Sequence, residues 1–461
     1  MINILKKKIS MFLNKLQPAQ IMVLGFALII LFGAILLNLP IASKNGESVG
    51  FLNALFTATS TVCVTGLVVV DTGTHWTTFG HVIIIVLIQI GGLGFMTIAT
   101  LFALIAKRKI NLKERLVMQE SLNQFDLSGL VKLTRHVLLI TFFIEGLGAL
   151  ILATEFIPRL GFGKGIWYSV FHSISAFCNA GFDLMGEVTG PYSSLTGYVN
   201  NFTVSATIGI LILLGGLGFP VILDFIKVKK YNKLAIHSKI VINTTLIVTI
   251  VSTLLICVVE FDNSNTIKPL SITGKILASF FQSVTARTAG FNTIDLSLMS
   301  EAGILLMIIL MFIGASPAST GGGVKTSTLA TVFLYIKSSI IGKSDVEIYG
   351  RRLEESIVRK SMGIVFIASV MVILGTLAMS ITHKEFTLTE LCFEVMSAIT
   401  TAGVSVIGSS NLNIFGKLII MLYMFIGRVG SLTILLALIA NNSKKNQSIN
   451  VRYPETKILV G

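Results

Sequence analysis

FTATSTVCVTGL, residues 56–67, is built from small and apolar side chains, yet it runs for only 12 residues where a membrane-crossing helix needs about 20. A run too short to span is expected to enter the membrane and turn back, which is tolerated only where protein or water lines the backbone. Three more stretches read the same way: FHSISAFCNAGF from Phe171, FQSVTARTAGF from Phe281 and FEVMSAITTAGV from Phe393. Counted from Phe56, Phe171, Phe280 and Phe393, a glycine follows ten positions later each time, at Gly66, Gly181, Gly290 and Gly403. Self-similarity of this kind marks one structural module used four times.

Composition supplies the frame around these stretches. Of 461 residues, 53% are hydrophobic and 13% charged, against about 25% charged in a soluble domain, which predicts a polytopic membrane protein. Long apolar runs fall at 19–41, 79–106, 137–157, 201–226, 240–260, 302–336, 360–381 and 413–440, giving eight membrane segments. Most Lys and Arg lie at 6–15, 107–135, 227–239, 337–360 and 444–457, alternating with connections poor in both. The positive-inside rule therefore places both termini in the cytoplasm, and the net charge of +14 reflects topology rather than nucleic-acid binding. The opening stretch MINILKKKISMFLNKL reads as a basic amphipathic segment on the inner membrane surface, not as a cleavable leader. Cys63, Cys178, Cys257 and Cys392 show no metal spacing and read as small apolar fillers.

Each unit is thus a membrane helix, a re-entrant pore helix with its loop, and a second membrane helix. The expected fold is an all-α integral membrane protein, with four such repeats around a single pore per chain. Glycine in each loop fits a cation filter, which replaces the ion's water with rings of backbone carbonyls and needs dihedral angles that glycine reaches readily. The preceding residues, Val64 and Thr65, Asn179 and Ala180, Thr288 and Ala289, Thr401 and Ala402, are uncharged, as carbonyl donors should be. Small residues also allow close helix packing in lipid; four motifs in re-entrant context favour the filter. The second half repeats as well: GGLGF occurs at Gly91–Phe95 and Gly215–Phe219, with Gly314 and GRVG from Gly427 in the corresponding places.

GASPASTGGGVKTST, residues 314–328, is the one long polar interruption of an apolar run. It is not a Walker A loop, because Val324 separates Gly323 from Lys325 and no strand context precedes it. Pro317 and the run Gly321, Gly322 and Gly323 cannot continue a helix, since glycine costs about 1 kcal/mol and proline about 3 relative to alanine. Broken backbone at that depth must line a cavity. Lys325 is either a barrier to cations or an anchor reaching the inner surface. Arg428, after apolar IIMLYMFIG, needs the pore or a polar partner; so do Glu145 and Glu394, and Arg287 is expected to tie to a carboxylate such as Glu394. The six histidines do not cluster and read as single interfacial residues.

With TSTVCVTGL, AFCNAGFD, ARTAGFNT, SAITTAGVS, GASPASTGGGVKTST, FIGRVGSLT and RYPETKILVG in hand, the chain resembles the Trk/Ktr/HKT superfamily of potassium transporters. Within it the likeness is to the membrane subunits of bacterial Ktr uptake systems, of the KtrB kind or its sister KtrD kind, over nearly the whole length. The resemblance implies a bacterial cytoplasmic-membrane protein that takes up potassium, K+ being bound at a filter of Val64, Thr65, Gly66, Asn179, Ala180, Gly181, Thr288, Ala289, Gly290, Thr401, Ala402 and Gly403. Glycine rather than serine at position 66 implies potassium over sodium. It implies a gate of Gly314, Ser316, Pro317, Gly321, Gly322, Gly323 and Lys325 with Arg428 against it, sodium-stimulated uptake, and no organic cofactor. It also implies a homodimer on a cytoplasmic octameric KtrA-type ring that binds ATP or ADP, docked through IGKSDVEIYGRRLEESIVRK and the C-terminal tail. The expected layout is an N-terminal stretch 1–18, repeats 19–106, 137–226, 240–336 and 360–440, a cytoplasmic loop 337–359 and a tail 441–461. A membrane enzyme would need a recurring acid, base or nucleophile constellation, which is missing; a proton-coupled carrier would need titratable groups between inverted repeats, whereas these units all enter from one side.

Overall fold

The computed structural model describes residues 16–105, 110, 112–121 and 130–430. Most of the amphipathic N-terminal stretch, the end of the fourth repeat and the RYPETKILVG tail lie outside the described residues. The first unit is α1 (Pro18–Leu37), the pore helix α2 (Phe51–Val62) and α3 (Thr78–Leu93), followed by α4 (Phe95–Ile105) and α5 (Leu112–Ser121). Next come α6 (Leu130–Leu160), pore helix α7 (Phe162–Phe177), α8 (Phe202–Leu217) and α9 (Phe219–Val228). The third unit is α10 (Ile236–Glu260), pore helix α11 (Ile272–Thr285) and α12 (Glu301–Phe312), continued by α13 (Thr326–Ile341). The fourth is α14 (Glu355–Thr382), pore helix α15 (Leu388–Thr400) and α16 (Ile414–Val429). A hairpin of Glu347–Ile348 with Arg351–Arg352, in the basic loop before α14, supplies the only strands among the described residues.

The first helix of each unit, 20, 31, 25 and 28 residues long, is long and apolar enough to cross a bilayer. The second helices start alike: Thr77, Asn201, Ser300 and Asn413 each accept a hydrogen bond from the backbone N–H three residues on, satisfying one of the donors a helix start leaves open. They stop early, after 16, 16, 12 and 16 residues. The segments read as single spans at 79–106 and 201–226 therefore need correction. At Gly94 and Gly218, with φ of 79° and 91°, the chain leaves the helix and turns by 100° and 96° into α4 and α9. The third apolar run, 302–336, is likewise two helices with the glycine-rich loop between them.

The pore helices pack through phenylalanine. Phe56, Phe171, Phe281 and Phe393 are all fully buried, whereas Phe280 is only half-buried. The constant ten-residue spacing thus holds in three units, and in the third the structural counterpart is Phe281, with the loop one residue shorter. Backbone pairing agrees: the N–H groups of Thr65, Ala180 and Ala402 donate to the carbonyl five residues back, but Ala289 donates to Thr285, four back.

Candidate functional site

The four pore helices end near the middle of the molecule, and the residues after them hold a backbone seldom seen outside glycine. Val64, Asn179, Thr288 and Thr401 have φ of 55°, 58°, 70° and 53°, and two residues later Gly66, Gly181, Gly290 and Gly403 have φ of 99°, 70°, 85° and 80°. A left-handed residue at every second position turns successive carbonyls to one side instead of alternating them, and such conformations for a branched residue cost about 1–3 kcal/mol each unless the surroundings enforce them. The four strands converge. A β-carbon built on Gly66 would lie 2.7 Å from Ala180 O, on Gly181 2.7 Å from Ala289 O, on Gly290 2.8 Å from the Gly181 α-carbon and on Gly403 3.0 Å from the Gly290 α-carbon. All twelve expected filter residues are buried, and no N–H or O–H of the described residues donates to any of their twelve carbonyl oxygens. Buried carbonyls without a donor are rare in folded proteins. Gathered on one axis, they make a dehydrated cation ligand set.

Directly against this strand cluster lies the loop between α12 and α13. Ile313 and Val324 form a parallel bridge at its neck; Gly314 N–H donates to Val324 O (3.0 Å) and Ala315 N–H to Gly322 O (3.1 Å). Ser316 and Thr320 N–H groups donate to Gly216 and Gly215 carbonyls at 2.9 and 3.2 Å, and Phe219 N–H donates to Ala318 O at 3.0 Å, so the loop is docked where α8 breaks, beside Pro317. Its tip abuts the filter strands: a β-carbon at Gly321 would overlap Thr288 Oγ1, and at Gly322 it would overlap Thr401 Oγ1. Thr320 Oγ1 stands 3.1 Å from Phe177 O and 3.2 Å from Asn179 Oδ1. Thr320 was not singled out from sequence, although it lies in the quoted loop. Behind the loop is a cavity of about 330 Å³, lined by Pro317, Gly321, Gly323, Lys325, Lys360 and Arg428.

Two cations hold the loop from that side. Lys325 Nζ donates to Gly321 O (2.7 Å) and Gly322 O (3.3 Å); it turns back on its own loop, which corrects the reading of a side chain reaching for the inner surface. Arg428 donates to Thr320 O and, in the neighbouring first unit, to Gly91 O and to Gly92 O (3.1 Å). Gly91 and Gly92 are the signature GGLGF glycines, whose carbonyls the sequence reading had not assigned a role.

Of the remaining buried charges, Glu394 and Glu145 find polar partners, whereas Arg287 does not find the expected carboxylate. Arg287 donates to Thr245 O (3.4 Å) and Thr249 Oγ1 (3.1 Å), not to Glu394. Glu394 accepts from Ser405 Oγ, Val406 N–H (2.9 Å) and Ile407 N–H (3.4 Å). Glu145 takes the Gln89 amide on both oxygens at 3.1 Å; Gln89, with His81 one of two strongly polar side chains inside the apolar run 79–106, was not singled out from sequence. His81, His172 and His383 are buried and bonded to backbone, which corrects the interfacial reading for these three. Among the described residues no group of three or more His, Cys, Asp or Glu is placed to hold a metal ion. At the end where the pore helices enter, Glu187 meets Lys164 Nζ (2.7 Å), Lys44 Nζ and Tyr168 OH (3.0 Å). Partial burial pushes its carboxyl up, but the hydrogen bonds from Lys164, Lys44 and Tyr168 outweigh it and hold the pKa at about 2.

The sequence was compared with known proteins. The TrkH family, described as cation transport protein, matches residues 19–449. The chain is 38% identical to the potassium/sodium uptake protein NtpJ of Enterococcus hirae, covering 99% of this chain and all of that one. It is 39% identical to the Ktr system potassium uptake protein B of Bacillus subtilis over 97% of each, and 35% identical to the Ktr system potassium uptake protein D of the same organism over 99% of this chain. In fold it is similar to the crystal structure of the potassium transporter TrkH from Vibrio parahaemolyticus, with a TM-score of 0.71 and 16% identity over 91% of this chain and 84% of that one.

Proposed function

Since the chain belongs to the TrkH family of cation transport proteins, a family of transporters rather than enzymes, we propose that it takes up potassium across the bacterial cytoplasmic membrane through a single four-strand filter. The observation that carries this reading is the set of twelve buried carbonyls, from Val64 to Gly66, Asn179 to Gly181, Thr288 to Gly290 and Thr401 to Gly403, that converge with no donor among the described residues. Their cage substitutes for the hydration shell of a potassium ion. The end where the pore helices enter is the outer mouth; the basic connections and both termini face the cytoplasm.

The loop 314–328 is the gate. It stands against the inner side of the filter, its tip at Thr288 and Thr401, with two positive side chains holding it and raising the local barrier to a cation. Opening withdraws the loop from these contacts. The regulator is a KtrA-type octameric ring binding ATP or ADP beneath a homodimer of this chain, a reading supported by the Ktr system relatives; the hairpin segment 341–360 and the tail offer the docking surface. Sodium stimulates the uptake, in keeping with the potassium/sodium uptake relative.

The test is potassium and sodium flux into proteoliposomes holding the chain alone and then with the ring and ATP or ADP. Potassium-preferring flux that the nucleotide controls is expected. Well-folded protein with no flux in any condition would sink the filter reading.

A further inference from the structure

The residue after each buried pore-helix phenylalanine is Thr57, His172, Gln282 and Glu394. Three of these reach the residue three past the filter glycine, two at its backbone N–H and one at its side chain. His172 Nε2 accepts from Leu184 N–H (3.3 Å), Gln282 Nε2 donates to Thr293 Oγ1 (3.2 Å), and Glu394 Oε1 accepts from Val406 N–H (2.9 Å). We propose that His172, Gln282 and Glu394 are positioning residues that hold the filter's outer strand at a fixed distance from its pore helix, and with it the preference for potassium over sodium.

Three unlike groups, an imidazole, an amide and a carboxyl, bond the same register position, the first and last at its backbone N–H and the amide at its hydroxyl, which packing alone does not require. An apolar side chain would fill each site, and a buried polar group is costly unless it is bonded. His172 has its tautomer fixed by its neighbours: Nδ1 must donate to Tyr168 O (2.7 Å), leaving Nε2 bare for Leu184 N–H. Glu394 gathers three donors on Oε1, while Oε2 is buried with no partner among the described residues; the carboxyl is oriented toward the strand and nowhere else. The first unit differs. Thr57 Oγ1 donates to Asn53 O within its own helix, and Ser60 Oγ instead accepts from Gly66 N–H at 3.1 Å, so that strand is tied at the glycine itself. A filter built from carbonyls discriminates through the positions and stiffness of those carbonyls. Ties at three outer strands restrict how far the rings contract around a smaller ion.

This inference rests on the filter reading, and the experiment separates the two. Competition of sodium with potassium uptake would be measured in proteoliposomes with the ring subunit, giving half-saturation values for each ion and the maximal rate. Glu394→Leu should lower the potassium-over-sodium ratio by about tenfold, the factor carried by a hydrogen bond to a charged group, and Glu394→Gln, which keeps the acceptor and sets its amide at the unpartnered oxygen, should restore it. Gln282→Leu and the isosteric Thr293→Val should each lower the ratio by about threefold, as for a neutral hydrogen bond, and the double variant should add nothing further. Thr293→Val, the mildest change, carries the test if Glu394→Leu does not fold. Ratios that stay put while Gly66→Ser moves them, or a fall in maximal rate alone, would overturn the positioning role and leave the filter standing. If Gly66→Ser also leaves the ratio unchanged, filter and braces fall together.

Discussion

Replacing Lys325 by methionine should make the chain conduct potassium without its regulator. The ammonium bridges Gly321 O at 2.7 Å and Gly322 O at 3.3 Å, the two glycines that sit against Thr288 and Thr401 of the filter. Hydrogen bonds from a charged donor contribute about 1.5–3 kcal/mol net. If the open loop lacks them, their removal raises the open-to-closed ratio by about ten- to a hundredfold. Methionine keeps the unbranched apolar stem and loses only the terminal ammonium position, so most of the cavity wall by the loop stays filled. Removing the positive charge also lowers the barrier to an entering cation, which adds to the effect in the same direction. The assay is the initial rate of potassium loss from loaded proteoliposomes containing the chain alone, followed with an ion-selective electrode and normalised to reconstituted protein. A rate at least about tenfold above that of the unmodified chain is expected. A monodisperse Lys325→Met protein that leaks no faster would refute the latch.

Three other outcomes follow from the same geometry. Gly66→Ser places a β-carbon 2.7 Å from Ala180 O at a φ of 99°, so one carbonyl must retreat, and the potassium-over-sodium ratio should drop about tenfold, the size of a strain of 1–3 kcal/mol; an unchanged ratio would remove the first loop from the filter. Arg428→Gln takes a charged donor from Thr320, Gly91 and Gly92 carbonyls, and should both raise the unregulated leak and destabilise the detergent-solubilised protein by about 3 kcal/mol or more, read as a lower midpoint of thermal unfolding. Glu187→Gln should cost little, because the ion pairs with Lys44 and Lys164 are partly exposed and screened. With its folded pKa at about 2, below an unfolded value of about 4.3, that small stabilisation should be constant from pH 8 to about pH 5 and vanish as the pH falls through 2; a difference that instead grows on acidification would contradict the pairing.

The four pore loops were legible because their signal is local: a buried phenylalanine, small residues, a glycine that must take positive φ. The same signal misled by one residue in the third unit, where Phe280 and Phe281 stand side by side and only packing separates the half-buried ring from the buried one. Span ends were harder to read. GGLGF stays apolar through the break, so hydropathy runs on while Gly94 and Gly218 turn the chain by about a right angle, and apolar α4 and α9 look like continuations of their spans. Apart from Arg428, which the resemblance set against the gate loop, the partners of buried charges were not legible. Arg287 and Arg428 both settle on backbone carbonyls and hydroxyls, which every sequence supplies everywhere, so no residue type in the chain advertises them as a carboxylate would.

The position of the gate follows from where the fourfold pattern fails. In the first, second and fourth units, Gly91, Gly215 and Gly427 sit so close to the ends of the pore helices that a β-carbon would overlap the carbonyls of Val62, Phe177 and Ile399; each carbonyl is four residues before its filter glycine. There the second helix presses on the base of the filter strand and leaves no slack. In the third unit the matching glycine, Gly314, meets Gly322 and Gly323 of its own loop instead. The filter there is supported on its inner side by a loop held by hydrogen bonds rather than by a helix packed against it. A loop can let go of Thr288 and Thr401 without unfolding a membrane helix, whereas withdrawing any of the other three supports would require moving a helix fixed to its pore helix. On the proposed reading, one broken repeat in four is therefore enough for a pore that closes, with the three intact ones keeping the ligand cage in place while it does.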